Sequence, residues 1–539
     1  MNDDALPPYV RGLLEPRAYP HAVDRVDLAQ THISYVFLAG DTVYKTKKPV
    51  DFGFINQLAP EAREQYCHDE VRLNARLAPD VYLDVVPVVR RADGRFAVEA
   101  DGEVVEWAVK MRRLRDDRTL DRILASEGPP PRLAERLVRT LIAFHEAAAV
   151  VPDDPEYAGG PGERKWWSRE YGEAAPFIGD TWRAGDAATT KAFFDATIEA
   201  EQRLFNERLA DGRVVEGHGD LHAKHVYLLD GSEGAAEQIA IVDCIEFTDW
   251  FHFRYLDVGY DIAFLAMDLE ARGFADLGDE VAGRYIAASC DETMGVLQPL
   301  HRAFRAFVRG KVESIGAHAP EIDEAERARL SASAAGYFRL AASYGGRRAA
   351  PCVVVMSGLP ATGKSTVAAT LAGRIGAAYL SSDATRKRLA GLDPRQRTTE
   401  EFRSGLYGPE MNERTYEELR RRAAAQLEAG RPVVLDAMHG RASERAAVAE
   451  VARAHGVPVL IAELRMDDES ARLRIEGRER DPLRTSDATW EVYGLQRERF
   501  EAVAANEGPH VALDATRPPA ESARAIAESL PRRRPEGRA

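Results

Sequence analysis

Cysteine is scarce in this chain, with four in 539 residues (Cys67, Cys244, Cys290 and Cys352) and no paired spacing. That usage excludes a disulfide framework and a cysteine-built zinc site, and it suits a reducing compartment. Long apolar runs are missing too: no stretch of about 18 uninterrupted apolar residues occurs, so no membrane-spanning helix is expected. The opening residues, MNDDALPPYV, are acidic and proline-containing and lack the basic and apolar pattern of a secretory signal. The expectation is a cytoplasmic protein. Basic excess is also absent. A net charge of −15 disfavours a nonspecific nucleic-acid binder, whose affinity comes from neutralising phosphates. What is present is ordinary globular material, 45% hydrophobic and 29% charged, in a chain too long for one core. Two or three domains are expected.

The pattern of elements changes near residue 350. Before it, ISYVFLAGDTVYKTKK (33–48) reads as two strands joined at Gly40-Asp41, a hairpin dipeptide. A helix is expected around 61–77, then strands near 81–90, 95–100 and 104–111, giving a small antiparallel sheet with one helix inserted. Helices dominate from Arg132 to Leu209, broken by a Gly/Pro-rich loop at 152–163, and a strand pair straddles 225–229 and 239–243. Further helices run to about Ala342, and SYGGRRAAP (343–351) has the composition of a linker. Strand candidates at 353–356, 377–380, 433–436, 458–464 and 510–513 then alternate with helices, as in a parallel sheet flanked by helices. The tail PRRRPEGRA (531–539) is expected to be disordered. The domain boundaries expected are therefore 1–342, a linker at 343–351, 352–530 and the tail.

The second region carries the sharper motif. Gly358, Leu359, Pro360, Ala361, Thr362, Gly363, Lys364, Ser365 and Thr366 lie between an apolar strand and a helix-like run. The glycines let several backbone N–H groups point at one phosphate of ATP or GTP. Lys364 supplies a charge to the β- and γ-phosphates, and Ser365 a hydroxyl to Mg²⁺. Asp436 ends the strand RPVVLDA, where it would orient magnesium or its waters; a capping role is the alternative. Asp383, at the carboxyl end of the second strand, lies where parallel sheets bind ligands and would accept a proton from an acceptor hydroxyl. Arg386, one helical turn on, would hold substrate or the transferring phosphate. The alternative is an N-cap Asp with a solvated Arg.

This Asp-x-x-Arg element resembles that of 5′-hydroxyl polynucleotide kinases and zeta-toxin-like sugar-nucleotide kinases. Downstream, ARLRIEGRERDPLRTSDAT places Arg472, Arg474, Arg478, Arg480 and Arg484 in a segment similar to the lid of nucleoside-monophosphate-kinase-like enzymes. Arg478 and Arg480 are the two expected to close over ATP. The likeness to small P-loop kinases covers about 350–530.

The first region has its own signal. Glu216-Gly-His218-Gly-Asp220-Leu-His222-Ala-Lys-His225 is followed by a short strand and then Ile241-Val-Asp243-Cys-Ile-Glu246. A His-x-Asp followed some twenty residues later by an apolar run ending in Asp is the catalytic and metal-binding pairing of kinase-like folds. A His-rich, metal-binding turn is the competing reading. The segment resembles the aminoglycoside phosphotransferase family over about 25–340, and that resemblance implies particular roles. Asp220 would be the catalytic base, Asp243 a Mg²⁺ ligand, His218 a support for the loop, and the segment Tyr255–Asp261 a brace. His225 stands where the family has an asparagine, its second ligand for magnesium, and imidazole suits hard Mg²⁺ less well than an amide oxygen. One metal, a preference for Mn²⁺, or weakened activity would follow. Lys45 or Lys47, two apart on one strand face, would contact the ATP phosphates and pair with Glu70, while the strand EWAVKM (106–111) would offer backbone groups to adenine. Trp166, Trp167 and Tyr171 are equally readable as an acceptor pocket or as core.

The order of the two regions is similar to bacterial fusions described as bifunctional aminoglycoside phosphotransferase-like and ATP-binding proteins. The implied fold is mixed α/β and α+β, with a bilobal protein-kinase-like domain followed by a P-loop domain. The implied activity is an ATP-dependent kinase with two sites, acting on a hydroxyl of a small molecule such as a sugar, an aminoglycoside or a nucleoside. A 5′-hydroxyl nucleic-acid kinase is one alternative. A P-loop enzyme or nucleotide sensor controlled by a catalytically weakened kinase-like domain is another.

Overall fold

The computed structural model describes residues 6–53, 55–151, 158–229, 238–246, 251–320, 322–396, 405–478 and 490–530. Two compact units emerge: one from residues 1–131, 143–158 and 208–261, the other from 132–142, 159–207 and 262–539.

The first unit is built on a six-stranded antiparallel sheet. Its order is Val26–Gln30, Ser34–Ala39, Thr42–Lys47, Glu103–Arg112, Tyr82–Arg90 and Phe96–Val98. The expected hairpin is there, turned at Gly40, whose φ of +65° is a conformation glycine adopts without penalty. Alternation along the strands separates two cores. Phe37, Tyr44, Val86 and Val88 face one side, and Val85 and Val109 face the other with Cys67 of the helix Pro60–Asn74. That helix also turns Glu70 and Asn74 inward, one and two turns beyond Cys67. The strand Val26–Gln30 and the antiparallel pair of Val214–Glu216 with Tyr255–Asp257 were not expected from the sequence. Between them comes the hairpin of Val226–Leu229 with Gln238–Ile241, close to its expected place.

The second unit joins a helical bundle to a five-stranded parallel sheet. The strand order is Ala378–Ser381, Val433–Asp436, Val353–Ser357, Val459–Arg465 and His510–Asp514, every pair parallel. Each strand falls within a residue or two of its expected bounds, because a buried parallel strand reads as an unbroken apolar run. Two expectations are revised here, and one open reading is decided. Residues 159–163, read as loop, open the helix Gly159–Ala174, with Pro161 in a first turn that needs no N–H from it. Trp166 and Trp167 are core: Trp166 packs 4.0 Å from Phe304 and Trp167 3.9 Å from Phe194, centroid to centroid, and Tyr171 lies against Trp167. The linker-like segment is tied down, since Tyr344 and Arg347 both donate to Glu270, and Arg348 pairs with the buried Glu201.

Candidate functional sites

In the first unit, charges converge on the helix Pro60–Asn74. Lys45 Nζ donates to Glu70 Oε1 at 2.8 Å and lies 3.5 Å from Asp243 Oδ1. Lys47, with no exposed surface, donates to Glu70 Oε2 at 2.5 Å and also pairs with Glu246. Burial pulls its pKa down, but Glu246 and Glu70 outweigh that and push it up to about 12. Of the two lysines on this face, Lys45 is therefore the one bordering Asp243, while Lys47 is enclosed by carboxylates.

The loop after Val214–Glu216 is held from several sides. Asp261 accepts from the N–H groups of His218 (2.7 Å) and Gly219 (3.0 Å), with His145 Nε2 3.3 Å away. Desolvation opposes its ionisation, but the His145 contact and the other hydrogen bonds hold it down to about 2. His218 uses both ring nitrogens. Nδ1 accepts from the Asp220 N–H at 3.2 Å, so the proton is on Nε2, which donates to the Val242 carbonyl at 2.9 Å. One imidazole thus joins the Asp220 loop to the segment carrying Asp243. Asn74 strengthens that join by accepting from the Cys244 N–H at 2.8 Å, and the Asp243 N–H donates to the Tyr82 hydroxyl at 3.2 Å. Asp243 itself has φ +68°, a strained conformation for a side chain other than glycine. Glu216 receives a bidentate bond from Arg72 and another from Arg254. Asn74, Tyr82, Glu216 and Glu246 carry no local sequence signal, because their partners lie far along the chain.

The P-loop site lies at the carboxyl ends of the parallel strands. Gly358 has φ +142° and Gly363 φ +81°, and a Cβ at Gly358 would stand 2.5 Å from the Leu464 carbonyl oxygen. Only glycine permits this path. Lys364 Nζ curls back to the Leu359 carbonyl at 2.7 Å. Asp436 is buried and accepts from the Tyr379 hydroxyl at 2.7 Å, with Ser365 close enough to favour its ionised form; it caps no helix. Burial raises its pKa, against the pull of Ser365 and Tyr379. Asp383 is not the N-cap of its helix, a position taken by Ser381. Instead, Asp383 Oδ1 accepts from Arg386 at 3.0 Å, and Arg386 also donates to Asn412 and lies 5.0 Å over the Tyr407 ring.

Of the arginines expected to form a lid, Arg480 and Arg484 lie outside the described residues. Arg478 closes the helix Asp468–Arg478. The arginine brought to the P-loop is Arg474, whose Nη1 is 3.5 Å from the place a Cβ would take on Gly363. Arg474 also donates to the Ala515 carbonyl at 2.8 Å, and burial lowers its pKa. Arg472, by contrast, is exposed and pairs with Glu476.

The two sites offer different donors to a metal ion. Ser365 and Asp436 are neighbouring oxygen donors, a set that fits hard Mg²⁺. Around Asp220 the set is half imidazole: His222 Nε2 is 3.5 Å and His225 Nδ1 3.7 Å from Asp220 Oδ2, and His225 Nε2 is 3.4 Å from Asp243 Oδ2. That set does not fit Mg²⁺.

Residues 353–503 match the family AAA_33, described as an AAA domain. An uncharacterized protein of Mycobacterium tuberculosis is 32% identical over 430 residues, covering 79% of this chain and 81% of its own. A match of that length extends into both regions. Among solved structures, a gluconokinase from Sinorhizobium meliloti is similar at 22% identity, covering 34% of this chain and 93% of its own with a TM-score of 0.25. A choline/ethanolamine kinase family protein from Mesorhizobium loti is similar at 13% identity, covering 61% of this chain and 97% of its own with a TM-score of 0.34.

Proposed function

This chain belongs to the same family as the mycobacterial protein it matches, and from that premise and its two sites we propose that it is an ATP-dependent phosphotransferase. Transfer runs from the γ-phosphate of ATP to a hydroxyl of a small molecule, a sugar, aminoglycoside or nucleoside, in the P-loop domain taken as 352–530. The observation that carries this reading is the Asp383–Arg386 pair at the carboxyl end of a parallel strand, in a domain that also holds Lys364, Ser365 and Asp436 at a phosphate loop.

Each residue has work that follows from its placement. The loop amides and Lys364 hold the β- and γ-phosphates. Magnesium, held by Ser365 and Asp436, would supply charge neutralisation on those phosphates. Asp383 takes the proton of the acceptor hydroxyl at a carboxylate oxygen, while Arg386 fixes that carboxylate and faces the incoming phosphate. Arg474 adds positive charge beside Gly363, where negative charge gathers in the transition state. Little covalent chemistry falls to the protein, so placement and charge dominate. Asp383→Asn is expected to lower kcat by roughly 10²–10⁴-fold with the ATP Kd unchanged; a variant with full kcat would remove Asp383 from the chemistry.

A second reading has a specific support. The kinase-like region, taken as 1–342, keeps the Lys45–Glu70 pair and the braced Asp220 loop, yet has His225 in its metal set. In that reading it binds nucleotide and regulates the P-loop domain. Brisk ATP turnover surviving Lys364→Ala and lost in Asp220→Asn would sink it.

A further inference from the structure

The histidines beside Asp220 do more than depart from an oxygen-rich set; they converge. One ligand atom from each of Asp220, His222 and His225 lies within 4.8 Å of the others, and among the described residues this is the one place where three such side chains meet. The His222 and His225 rings are 3.9 Å apart, centroid to centroid, and both are largely shielded from solvent. His225 is also oriented as metal-binding histidines are. Its Nδ1 lies 2.9 Å from the Asp220 backbone carbonyl, which accepts its proton and leaves the lone pair on Nε2. That nitrogen faces Asp243 Oδ2 at 3.4 Å, and His222 Nε2 faces Asp220 Oδ2 at 3.5 Å.

Spacing distinguishes one class of ion from another. Donors about 2.1 Å from a tetrahedral centre stand about 3.4 Å apart, whereas around octahedral Mg²⁺ neighbouring donors stand about 2.9 Å apart. The His222 Nε2–Asp220 Oδ2 separation of 3.5 Å matches the tetrahedral edge, and His225 Nδ1 stands 3.7 Å from the same oxygen, wider than the octahedral spacing. The chemistry agrees, since two imidazoles and one carboxylate suit a borderline ion and leave hard Mg²⁺ without its preferred oxygens.

We propose that Asp220, His222 and His225 form a three-ligand binding site, its fourth position left to solvent, for a divalent transition metal of the Zn²⁺/Co²⁺ class. The chain then sorts metals between its two regions, with a nitrogen-preferring ion here and Mg²⁺ at Ser365 and Asp436. Binding of the ion does not depend on either region transferring phosphate, so the proposal and the phosphotransferase reading fail separately.

The test is a Co²⁺ titration of the full chain, read by visible absorption, followed by competition. Expected is one Co²⁺ per chain with the intense bands of a four-coordinate centre, displaced by Zn²⁺ and not by a hundredfold excess of Mg²⁺. His225→Asn, which restores an amide, should weaken Co²⁺ binding at least tenfold, and His222→Ala likewise. Ser365→Ala should leave the bands intact. Folding is followed in parallel: Zn²⁺ should raise the melting temperature of the wild type and not of His225→Asn, as binding to the native state requires. Bands that Mg²⁺ displaces as readily as Zn²⁺, or bands unchanged in both histidine variants, would overturn the site. So would absence of bands in the folded wild type.

Discussion

Lys47 sits wholly out of water between Glu70 and Glu246, a position no exposed strand lysine occupies. Removing one partner from such a buried set leaves the others uncompensated. Lys47→Met is expected to cost about 3–5 kcal/mol of stability, measured by urea denaturation, because two carboxylates then share only Lys45. Arg474 is the corresponding residue in the P-loop domain. Arg474→Ala should lower kcat by about 10²-fold or more with a smaller change in KM for ATP, since its charge acts where the transition state is most negative. Arg472→Ala, on the exposed face of the same helix, should change neither. His439 offers a pH readout. It is fully buried, its Nδ1 2.8 Å from the Met356 carbonyl, and burial pulls its pKa down to about 4. The folded chain keeps it neutral while the unfolded chain protonates it near pH 6.5, so acid favours unfolding. Its contribution is lost progressively from about pH 6.5 down to about pH 4, totalling about 3 kcal/mol, and no further below that. Melting curves of His439→Gln should show a shallower decline than wild type across that window.

At the scale of elements, the helix Lys364–Ile375 behind the P-loop is gripped by the helices Ala275–Ser289 and Met294–Ala317. Gly283 makes this close approach feasible: a Cβ there would stand 2.5 Å from Thr370 Cα and 2.6 Å from Thr370 N. Backbone cannot swing aside as a side chain can. Gly283→Ala should destabilise the protein by about 1–3 kcal/mol and raise KM for ATP, read by denaturation and steady-state kinetics. The elements legible in sequence were those with local causes: the Gly40-Asp41 hairpin, the five apolar parallel strands and the phosphate loop. What stayed hidden depends on contacts far along the chain. Lys45 and Lys47 share a strand face, and only the helix carrying Glu70 and the segment carrying Glu246 separate their roles. The inward arginine of the Asp468–Arg478 helix is set by how that helix rotates against Gly363, which spacing alone does not report. Tyr379 as a partner of Asp436, and Glu270 and Glu201 as anchors of the segment 343–351, are long-range pairings of the same kind.

Over the whole molecule, a kinase-like region and a P-loop domain share one acidic chain of net charge −15, a charge that disfavours polyanionic partners. Their donor sets differ, oxygen at Ser365 and Asp436 and mixed nitrogen and oxygen at Asp220, His225 and Asp243, so equal activity at both sites is not expected. The most direct measurement is transfer of labelled γ-phosphate from ATP to pooled aminoglycosides, sugars, nucleosides and 5′-hydroxyl oligonucleotides, for wild type, Lys364→Ala and Asp220→Asn. The expected result is label in a small-molecule pool that disappears with Lys364→Ala and persists in Asp220→Asn. Label confined to the oligonucleotide pool would move the acceptor to nucleic acid, and no transfer to any pool by a protein that binds ATP would contradict the account.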